Sequence, residues 1–198
     1  MGMDTAVINA MLKWPDVPAC WGWLALDERG RWRLGQSVDG RHGEPVRHRG
    51  LADYLGRNYA ATPDGAWFVQ NGPQRVWVDL DAAPMVLDAD ADGAVVTHTG
   101  LRVARIDGAL IDESGRLFVT CEHGLALVGS ALATQWLDHL LCADGRPADA
   151  DAFATSETLR LALPDGPLTV ERTLAADLPE RFGFVPAPRP ATTAETVP

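Results

Sequence analysis

The residues with the clearest potential for recognition chemistry surround Asn71-Gly72-Pro73, a hinge between two predicted strands at 66–70 and 75–80 whose turn signal is Asn-Gly. Asn71 and Gln74 carry amides, Arg75 carries a guanidinium, and Trp77 follows two residues later. Arginine donates paired hydrogen bonds to a carboxylate, and an aromatic ring offers an apolar platform beside it. The pattern predicts a site for a carboxylate, a sugar or a peptide end. The alternative is a hairpin turn whose amides bond to their own backbone.

Three further side chains have types that catalysis uses. His98 lies between two threonines, and its ordinary pKa of about 6.5 suits it to ligand binding or proton transfer. Asp79 and Asp81 lie two residues apart on one face of a predicted strand, as paired carboxylates can. Each also fits an ordinary exposed strand position. A catalytic His98 needs a carboxylate or hydroxyl partner within about 3 Å, whereas a ring packed in the core and bonded to backbone does not act.

A thiol, a carboxylate and an imidazole follow one another in Cys121-Glu122-His123. Adjacency in sequence does not bring a histidine within reach of a cysteine, so a buried thiol followed by a turn is the favoured interpretation. The chain contains no P-loop, dinucleotide-binding fingerprint, nucleophile elbow or zinc-protease motif. We therefore predict no cofactor, no metal and no assigned catalytic residue.

The charge balance limits the classes of partner. A formal net charge of −10 and a pI near 4.8 disfavour nucleic acid and anionic membrane surfaces. No apolar run approaches the roughly 20 residues of a membrane span, and the N-terminus does not have the pattern of a signal peptide. Three cysteines without paired spacing indicate free thiols and a cytoplasmic location. A small molecule, a peptide or a second copy of this chain remains as the expected partner.

Short alternating runs separated by Asp-Gly turns predict β-hairpins. Asp accepts backbone hydrogen bonds within a turn, and Gly adopts the left-handed conformation without steric cost. The expected fold class is α+β, with mainly antiparallel hairpins forming curled sheets or a partial barrel and two covering helices. The five predicted turns contain Asp27 to Gly30, Asp64-Gly65, Asp92-Gly93, Asp112 to Gly115 and Asp165-Gly166.

Two segments carry the apolar stripe of an amphipathic helix, at about 50–60 and 131–142, the second with Ser130 as N-cap. Between the hairpins, the polar stretch 88–93 predicts a boundary, so that a Trp-rich lobe spans 17–88 and a second lobe spans 89–185. Residues 1–16 are expected to be a loose tail and residues 186–198 a disordered one, because their composition buries little.

The chain resembles an uncharacterised proteobacterial family of short cytoplasmic proteins across most of residues 17–142. The resemblance rests on the Trp21 to Leu26 run, the FVQNGPQRVWVDLDAAP segment with its Gln-Asn-Gly-Pro-Gln-Arg-Val core, His98 to Gly100 and the Gly115 to Val119 run. That family has no assigned reaction, so the resemblance implies no catalytic residue.

These observations favour a non-enzymatic binding or regulatory protein. We expect a small ligand or peptide to be held between the lobes by Asn71, Gln74, Arg75 and Trp77, with His98 as a further contact. One alternative is a structural protein that forms homo-oligomers through exposed strand edges and tryptophans. Another is an enzyme for a small or sugar-like substrate that uses His98 or the Asp79/Asp81 pair.

Overall fold

A computed structural model describes residues 3–14, 16–36, 42–149, 152 and 158–190. The chain divides into two compact units that do not follow chain order. The first unit contains Met1–Leu26, Trp32–Leu80 and Val185–Pro198, and the second contains Asp27–Arg31 and Asp81–Phe184. The predicted lobe limits of 17–88 and 89–185 stay a prediction as limits of independent folding.

The first unit contains a six-stranded sheet and two helices. The sheet has the order β3-β2-β1-β6-β5-β4. Its neighbours are antiparallel except for β1 and β6, which run parallel. The elements are α1 (Thr5–Lys13), β1 (Cys20–Leu26), β2 (Trp32–Leu34), β3 (Glu44–Pro45), α2 (Arg49–Arg57), β4 (Tyr59–Ala61), β5 (Trp67–Asn71) and β6 (Gln74–Leu80).

The second unit contains an eight-stranded sheet with the order β12-β13-β14-β9-β10-β11-β7-β8. Two of its strand pairs, β11 with β7 and β14 with β9, are parallel. The elements are β7 (Met85–Ala89), β8 (Val95–Thr97), β9 (Ile106–Ile111), β10 (Leu117–Cys121), β11 (Gly124–Val128), α3 (Ser130–Trp136), β12 (Leu140–Cys142), β13 (Leu159–Leu163), β14 (Gly166–Arg172) and α4 (Leu178–Phe182), with single 3₁₀ turns at Leu137–His139 and Ala175–Asp177.

The fold class is α+β with curled sheets, as the sequence predicted. Antiparallel pairs predominate, but each sheet is mixed because it contains at least one parallel pair. Parallel strands come from distant parts of the chain, so a local hairpin pattern in the sequence does not predict that they pair. Within the described residues, no helix has the length and apolarity to cross a lipid bilayer.

One turn design recurs six times in the described residues. The first residue's N–H donates to the carbonyl four residues on, and the fourth residue, a glycine with positive φ, donates back to the first. This is a three-residue hairpin loop whose glycine takes the left-handed conformation. In five copies the first side chain also accepts the N–H of the fifth residue, as Asp112 does from Arg116 at 2.8 Å. The first residues are Asp27, Thr62, Asp90, Thr97, Asp112 and Cys142.

Four of the five predicted Asp-Gly hairpin turns have this design, and the fifth connects β13 to β14 through a two-residue turn. In two of the four, the side chain that holds the turn differs from the one named in the sequence. Thr62 acts in place of Asp64, and Asp90 in place of Asp92. The turn is held by a side-chain acceptor three residues before its glycine, so the Asp next to the glycine is not necessarily the residue that holds it.

The helix predictions need three corrections. The segment predicted as a helix at 131–142 is helical only through Trp136, after which a 3₁₀ turn leads into β12, paired with β13. The helix predicted at 50–60 ends at Arg57, because Tyr59–Ala61 pair with β5. Ser130 is the first helical residue and Gly129 is the N-cap. At the C-terminal end of both helices, strand pairing overrides a helical apolar stripe.

Parts of both segments predicted as tails, or residues beside them, make defined contacts, and the tail limits of 1–16 and 186–198 stay a prediction. Residues 5–13 form α1, which buries Val7 and is fixed at its start by Asn58, whose Oδ1 accepts from the Asp4 N–H at 3.0 Å. Near the other end, Val185 pairs with Ala66, and the carbonyl of Pro186 accepts from the Leu80 N–H at 2.7 Å. Both segments gain order from partners far away in sequence. Residues 1–2 and 191–198 lie outside the described residues.

Candidate functional site

The hairpin of β5 and β6 carries the predicted recognition residues. Its strands pair antiparallel with Asn71 opposite Gln74, so Gly72 and Pro73 are the two central residues of the turn. Gly72 has a φ of 57°, which suits the first position of a tight hairpin turn, and proline's fixed φ suits the second. The predicted hairpin is confirmed, with Gly-Pro rather than Asn-Gly at its centre.

The turn length sets which side chains share a face. Phe68 lies opposite Trp77 and Gln70 lies opposite Arg75. Directly opposed residues in antiparallel strands project to the same side, and successive residues alternate. These four side chains therefore form one patch, whereas Asn71 and Gln74 project to the other side of the sheet.

The Arg75 guanidinium lies close to two aromatic rings. Its guanidinium carbon is 4.1 Å from the centre of the Phe68 ring and 5.5 Å from that of Trp77. The side chain is half-buried, and none of its N–H donors has a hydrogen-bond or ion-pair partner among the described residues. A guanidinium held over rings keeps its edge free to bind a planar anion.

Trp21 extends the patch across the parallel pair. Its ring stacks on Trp77 with centroids 4.7 Å apart and planes 11° apart. The register of β1 against β6 slips between Cys20 and Leu24, and Gly22 lies in this irregular stretch with a φ of 69°. The slip gives β1 extra residues opposite Trp77. We call Trp21, Phe68, Gln70, Arg75 and Trp77 the Arg75 face.

Two buried polar atoms on the Arg75 face have no hydrogen-bond partner among the described residues. They are Oε1 of Gln70 and Nε1 of Trp77. Gln70 is only 2% exposed, and its Nε2 donates to the Gly72 carbonyl at 3.0 Å, so its acceptor end alone is unused. Such atoms are rare because burial without a partner costs about 1–3 kcal/mol.

The remaining predicted contacts of this hairpin stabilise the local fold. The Asn71 carbonyl oxygen accepts from the hydroxyl of Tyr54 in α2 at 3.3 Å. Gln74 donates through Nε2 to the Pro18 carbonyl at 3.1 Å and so attaches the segment before β1. The structure thus brings Arg75 and Trp77 together and places Asn71 and Gln74 elsewhere.

Asp79 follows Arg75 and Trp77 on the same face of β6, but its carboxylate is occupied. It is 3% exposed and accepts from both terminal nitrogens of Arg189, at 2.6 and 3.0 Å. These hydrogen bonds raise the pKa of Arg189 above its usual range. Asp81 is exposed after the strand ends. Asp79 therefore holds the C-terminal segment and is not presented as half of a catalytic carboxylate pair.

His98 belongs to the second unit, in the loop after β8. Its Nδ1 accepts from the Val86 N–H at 3.4 Å, its Nε2 is buried, and burial lowers the pKa of the ring to about 3. The ring lines a pocket of about 370 Å³. A histidine that is neutral at physiological pH and engaged by backbone has the geometry of a packing residue.

The Cys121-Glu122-His123 segment has a local structural role. Burial raises the pKa of the Cys121 thiol, while His123 Nε2 lies 2.9 Å from the Arg102 carbonyl. The Glu122 carboxylate accepts from the backbone of Ala104 at 2.6 Å and of Arg105 at 3.3 Å. These contacts fix the 102–105 segment. Among the described residues, no group of three or more His, Cys, Asp or Glu side chains could hold a metal ion.

Sequence reasoning did not include Phe68, Gln70 and Trp21 in the site. The first two follow from a two-residue turn, because that turn length places them opposite Trp77 and Arg75. Trp21 joins through a parallel pairing that has no local signal. Trp67, at the start of β5, packs its ring 4.6 Å from that of Tyr59 and is not part of the patch.

The fold is α+β, and in the first unit a guanidinium lies over an aromatic patch. The chain belongs to the family described as "Protein of unknown function (DUF2946)", whose model, DUF2944, matches residues 3–189. Membership of an uncharacterised family agrees with the resemblance drawn from the sequence, and the Gln-Asn-Gly-Pro-Gln-Arg-Val core as its signature stays a prediction.

The comparison with solved structures finds a DUF1285 family protein from Silicibacter pomeroyi DSS-3. It is 13% identical to the chain with a TM-score of 0.49, and the similarity covers 81% of this chain and 84% of that one. No curated protein matches the chain. At this level of similarity, the neighbour provides no information on what the chain binds.

Proposed function

We propose that the chain is a non-enzymatic binding protein that recognises a small carboxylate ligand on the Arg75 face. The observation that carries the proposal is the Arg75 guanidinium, which lies 4.1 Å over the Phe68 ring with no hydrogen-bond or ion-pair partner among the described residues. The Asp64 carboxylate is near enough to interact with its charge but forms no ion pair with it. A paired arginine would have a structural role, whereas this one presents its donors to a ligand.

The chemistry of the surrounding groups fits recognition rather than catalysis. A guanidinium, an indole and an amide bind ligands through hydrogen bonds and ring contacts, and none of them is among the usual general acids or bases. The rings restrict the guanidinium, so less side-chain freedom is lost when a ligand binds. The unused Gln70 oxygen and Trp77 N–H would add one acceptor and one donor to a ligand that reaches them.

The proposal is tested by NMR titration of the isotope-labelled full chain with benzoate and with benzamide. We expect benzoate to shift the Trp77 indole N–H, identified by its loss in Trp77→Phe, and benzamide to shift it far less. A free peptide carboxylate is compared in the same way with its amidated form. Equal responses to the charged and uncharged probes would show that no carboxylate is recognised.

The decisive variant is Arg75→Met, which keeps an apolar stem over Phe68 and removes the charge. Loss of a charge-assisted hydrogen bond, worth about 1.5–3 kcal/mol, predicts benzoate binding weakened at least about tenfold with the fold retained. Arg47→Met, at an exposed arginine of the same unit, is the matched control. If Arg75→Met unfolds, Arg75→Lys keeps the charge without the planar fork and should bind with intermediate affinity. Unchanged affinity in both variants contradicts the assignment.

Self-association is a second candidate function, favoured by an apolar patch at the N-terminal helix. Ile8, Leu12 and Trp14 are 45%, 79% and 50% exposed. Contiguous exposed apolar residues mark interaction surfaces in many proteins. Size-exclusion chromatography at two concentrations tests this candidate, with Leu12→Gln expected to abolish any concentration-dependent shift. Elution that is independent of concentration rules it out.

We further infer a cytoplasmic location, supported by the cysteines. Cys20, Cys121 and Cys142 are thiols that form no disulfide within the described residues, and the last two are buried. Free thiols are typical of proteins kept in a reducing compartment. Fractionation of cells that express the native protein tests this inference, and recovery from a secreted or periplasmic fraction contradicts it.

A further inference from the structure

We propose that the second unit contains a separate binding site for a ligand with an apolar body and one anionic group. The site is a pocket of about 520 Å³ between the turn at 28–29, the strands β9, β10 and β11, and α3. Its residues belong to the second unit alone, so it does not depend on the Arg75 face.

The size and lining of the pocket fit a small organic molecule. Small-molecule sites have volumes of about 300–1,000 Å³, with mainly apolar walls and a few polar groups that fix orientation. The apolar wall consists of Ile111, Leu117, Leu127, Val128, Leu137 and Leu140. Leu137 is 51% exposed although it lines this wall, as expected for a side chain that a ligand would cover.

Some polar groups at the edge of the pocket already form hydrogen bonds or ion pairs within the protein, and others do not. Arg116 bonds to the carboxylates of Asp112, at 2.6 Å, and of Glu28, so its charge is balanced within the protein. The Arg29 guanidinium and the Ser130 hydroxyl have no hydrogen-bond or ion-pair partner among the described residues. Arg116 with its two carboxylates carries one surplus negative charge, which Arg29 balances, so the four groups sum to zero. Arg29 is therefore the one cation among the described lining residues that no ion pair holds, and its donors can meet an anionic head group.

Arg29 and Ser130 also line the adjoining pocket of about 370 Å³ that contains His98. The two cavities thus share their only unpaired cation and hydroxyl among the described lining residues. An anionic group at Arg29 would lie at this junction, with the apolar body directed along the leucine-lined wall. This arrangement predicts affinity that grows with apolar length and requires the charge.

The test uses isothermal titration calorimetry of the full chain with hexanoate, octanoate and decanoate, and with 1-octanol as the uncharged probe. Each added methylene should tighten binding about fourfold, the fold-change that corresponds to burial of one CH₂ group. The alcohol should bind at least about tenfold more weakly than octanoate. A flat chain-length series, or equal affinity for octanoate and 1-octanol, overturns the proposal.

Two variant pairs locate the site. Ala133→Phe fills the pocket and should reduce octanoate affinity at least tenfold, whereas Gln135→Phe, an exposed position of the same helix that does not line the pocket, should not. Arg29→Gln should weaken octanoate and leave 1-octanol unchanged, with the exposed Arg160→Gln as its control.

Further readouts keep the result unambiguous. If Ala133→Phe fails to fold, Leu137→Ala removes an exposed wall residue and should also weaken octanoate. The octanoate titrations are repeated in Arg75→Met, which disables the carboxylate site proposed on the first unit, so that the chain-length series and its loss in Ala133→Phe report this pocket alone. Octanoate affinity that is the same in Ala133→Phe, Leu137→Ala and Arg29→Gln as in the native chain would falsify the proposal.

Discussion

The two units use their buried polar side chains in opposite ways. In the described part of the second unit these residues are Asp27, Thr97 and Asp112, and each holds a turn of its own within four residues. In the first unit they are Asn58, Gln70 and Asp79. Asn58 and Asp79 bind chain ends more than 50 residues away, and Gln70 leaves its carbonyl oxygen unused.

The apolar side chains of the two units also differ, because the first unit is rich in aromatic rings and the second in aliphatic chains. Six of the seven tryptophans lie in the first unit, where their rings stack on one another and on tyrosine and phenylalanine. The second unit has a mainly aliphatic core of Leu, Val, Ile and Ala. Large rings with polar edges form adaptable surfaces, and branched aliphatic chains pack interiors. The buried polar side chains therefore act on nearby turns in the second unit and mainly on distant segments in the first.

The largest expected effect is loss of a turn carboxylate in the second unit. Asp112→Ala removes acceptors for the Ser114 N–H and for the backbone and side chain of Arg116, and should lower the free energy of unfolding by about 3 kcal/mol. Chemical denaturation measures the change. Asp64→Ala, at the exposed aspartate of a first-unit turn held by Thr62, should change stability little. Equal losses would erase the contrast between the units.

The second-largest loss of stability should come from removing the contact between Asn58 and Asp4 in the first unit. Asn58→Leu leaves the Asp4 N–H without its acceptor and removes the side-chain bond to the Tyr54 carbonyl, which keeps the backbone N–H of residue 58, and should cost about 2 kcal/mol. Because α1 depends on this contact, its amides should exchange with solvent faster, as hydrogen exchange at Val7 would show. Asn71→Ala, at an exposed position, is the control. Unchanged protection of α1 would show that the N-terminal helix does not need Asn58.

Acid should destabilise the second unit through His98. Its folded pKa of about 3 lies below its unfolded value of about 6.5, so the unfolded chain binds a proton more readily between those values. Stability is therefore full above about pH 6.5 and falls as the pH drops, by about 2 kcal/mol at pH 5. His98→Asn keeps an acceptor for Val86 and should lose this component, whereas the exposed His139→Gln should retain it. Parallel stability curves for all three proteins between pH 7 and 5 contradict the assignment.

We expect the smallest change in stability from substitution of Gln70, whose amide nitrogen forms a hydrogen bond and whose amide oxygen does not. Gln70→Met removes a buried oxygen that has no partner, at the loss of one bond to the turn, and should change stability by less than about 1 kcal/mol. Benzoate binding on the Arg75 face should nevertheless weaken. A loss of 2 kcal/mol or more would mean that Gln70 is as structural as Asn58.

The sequence predicted those features that depend on residues close together in the chain. The Asp-Gly turns, the β5–β6 hairpin and the membership of Arg75 and Trp77 in one face follow from residues within about ten positions of one another. The features that it did not predict share one cause. Strand pairing shortened both predicted helices, and Asn58 and Arg189 ordered two segments whose own composition indicates none.

The sequence by itself determined the hairpins, the α+β class and the pairing of a guanidinium with an aromatic ring, because turn chemistry and side-chain alternation act over a few residues. Only the tertiary structure decided that Trp21 joins that ring, that Asp79 is taken by Arg189, and that an apolar pocket opens beside Arg29. Parallel pairing and chain-end contacts join residues tens to more than a hundred positions apart. Their free energy depends on the whole fold, and no local pattern encodes it.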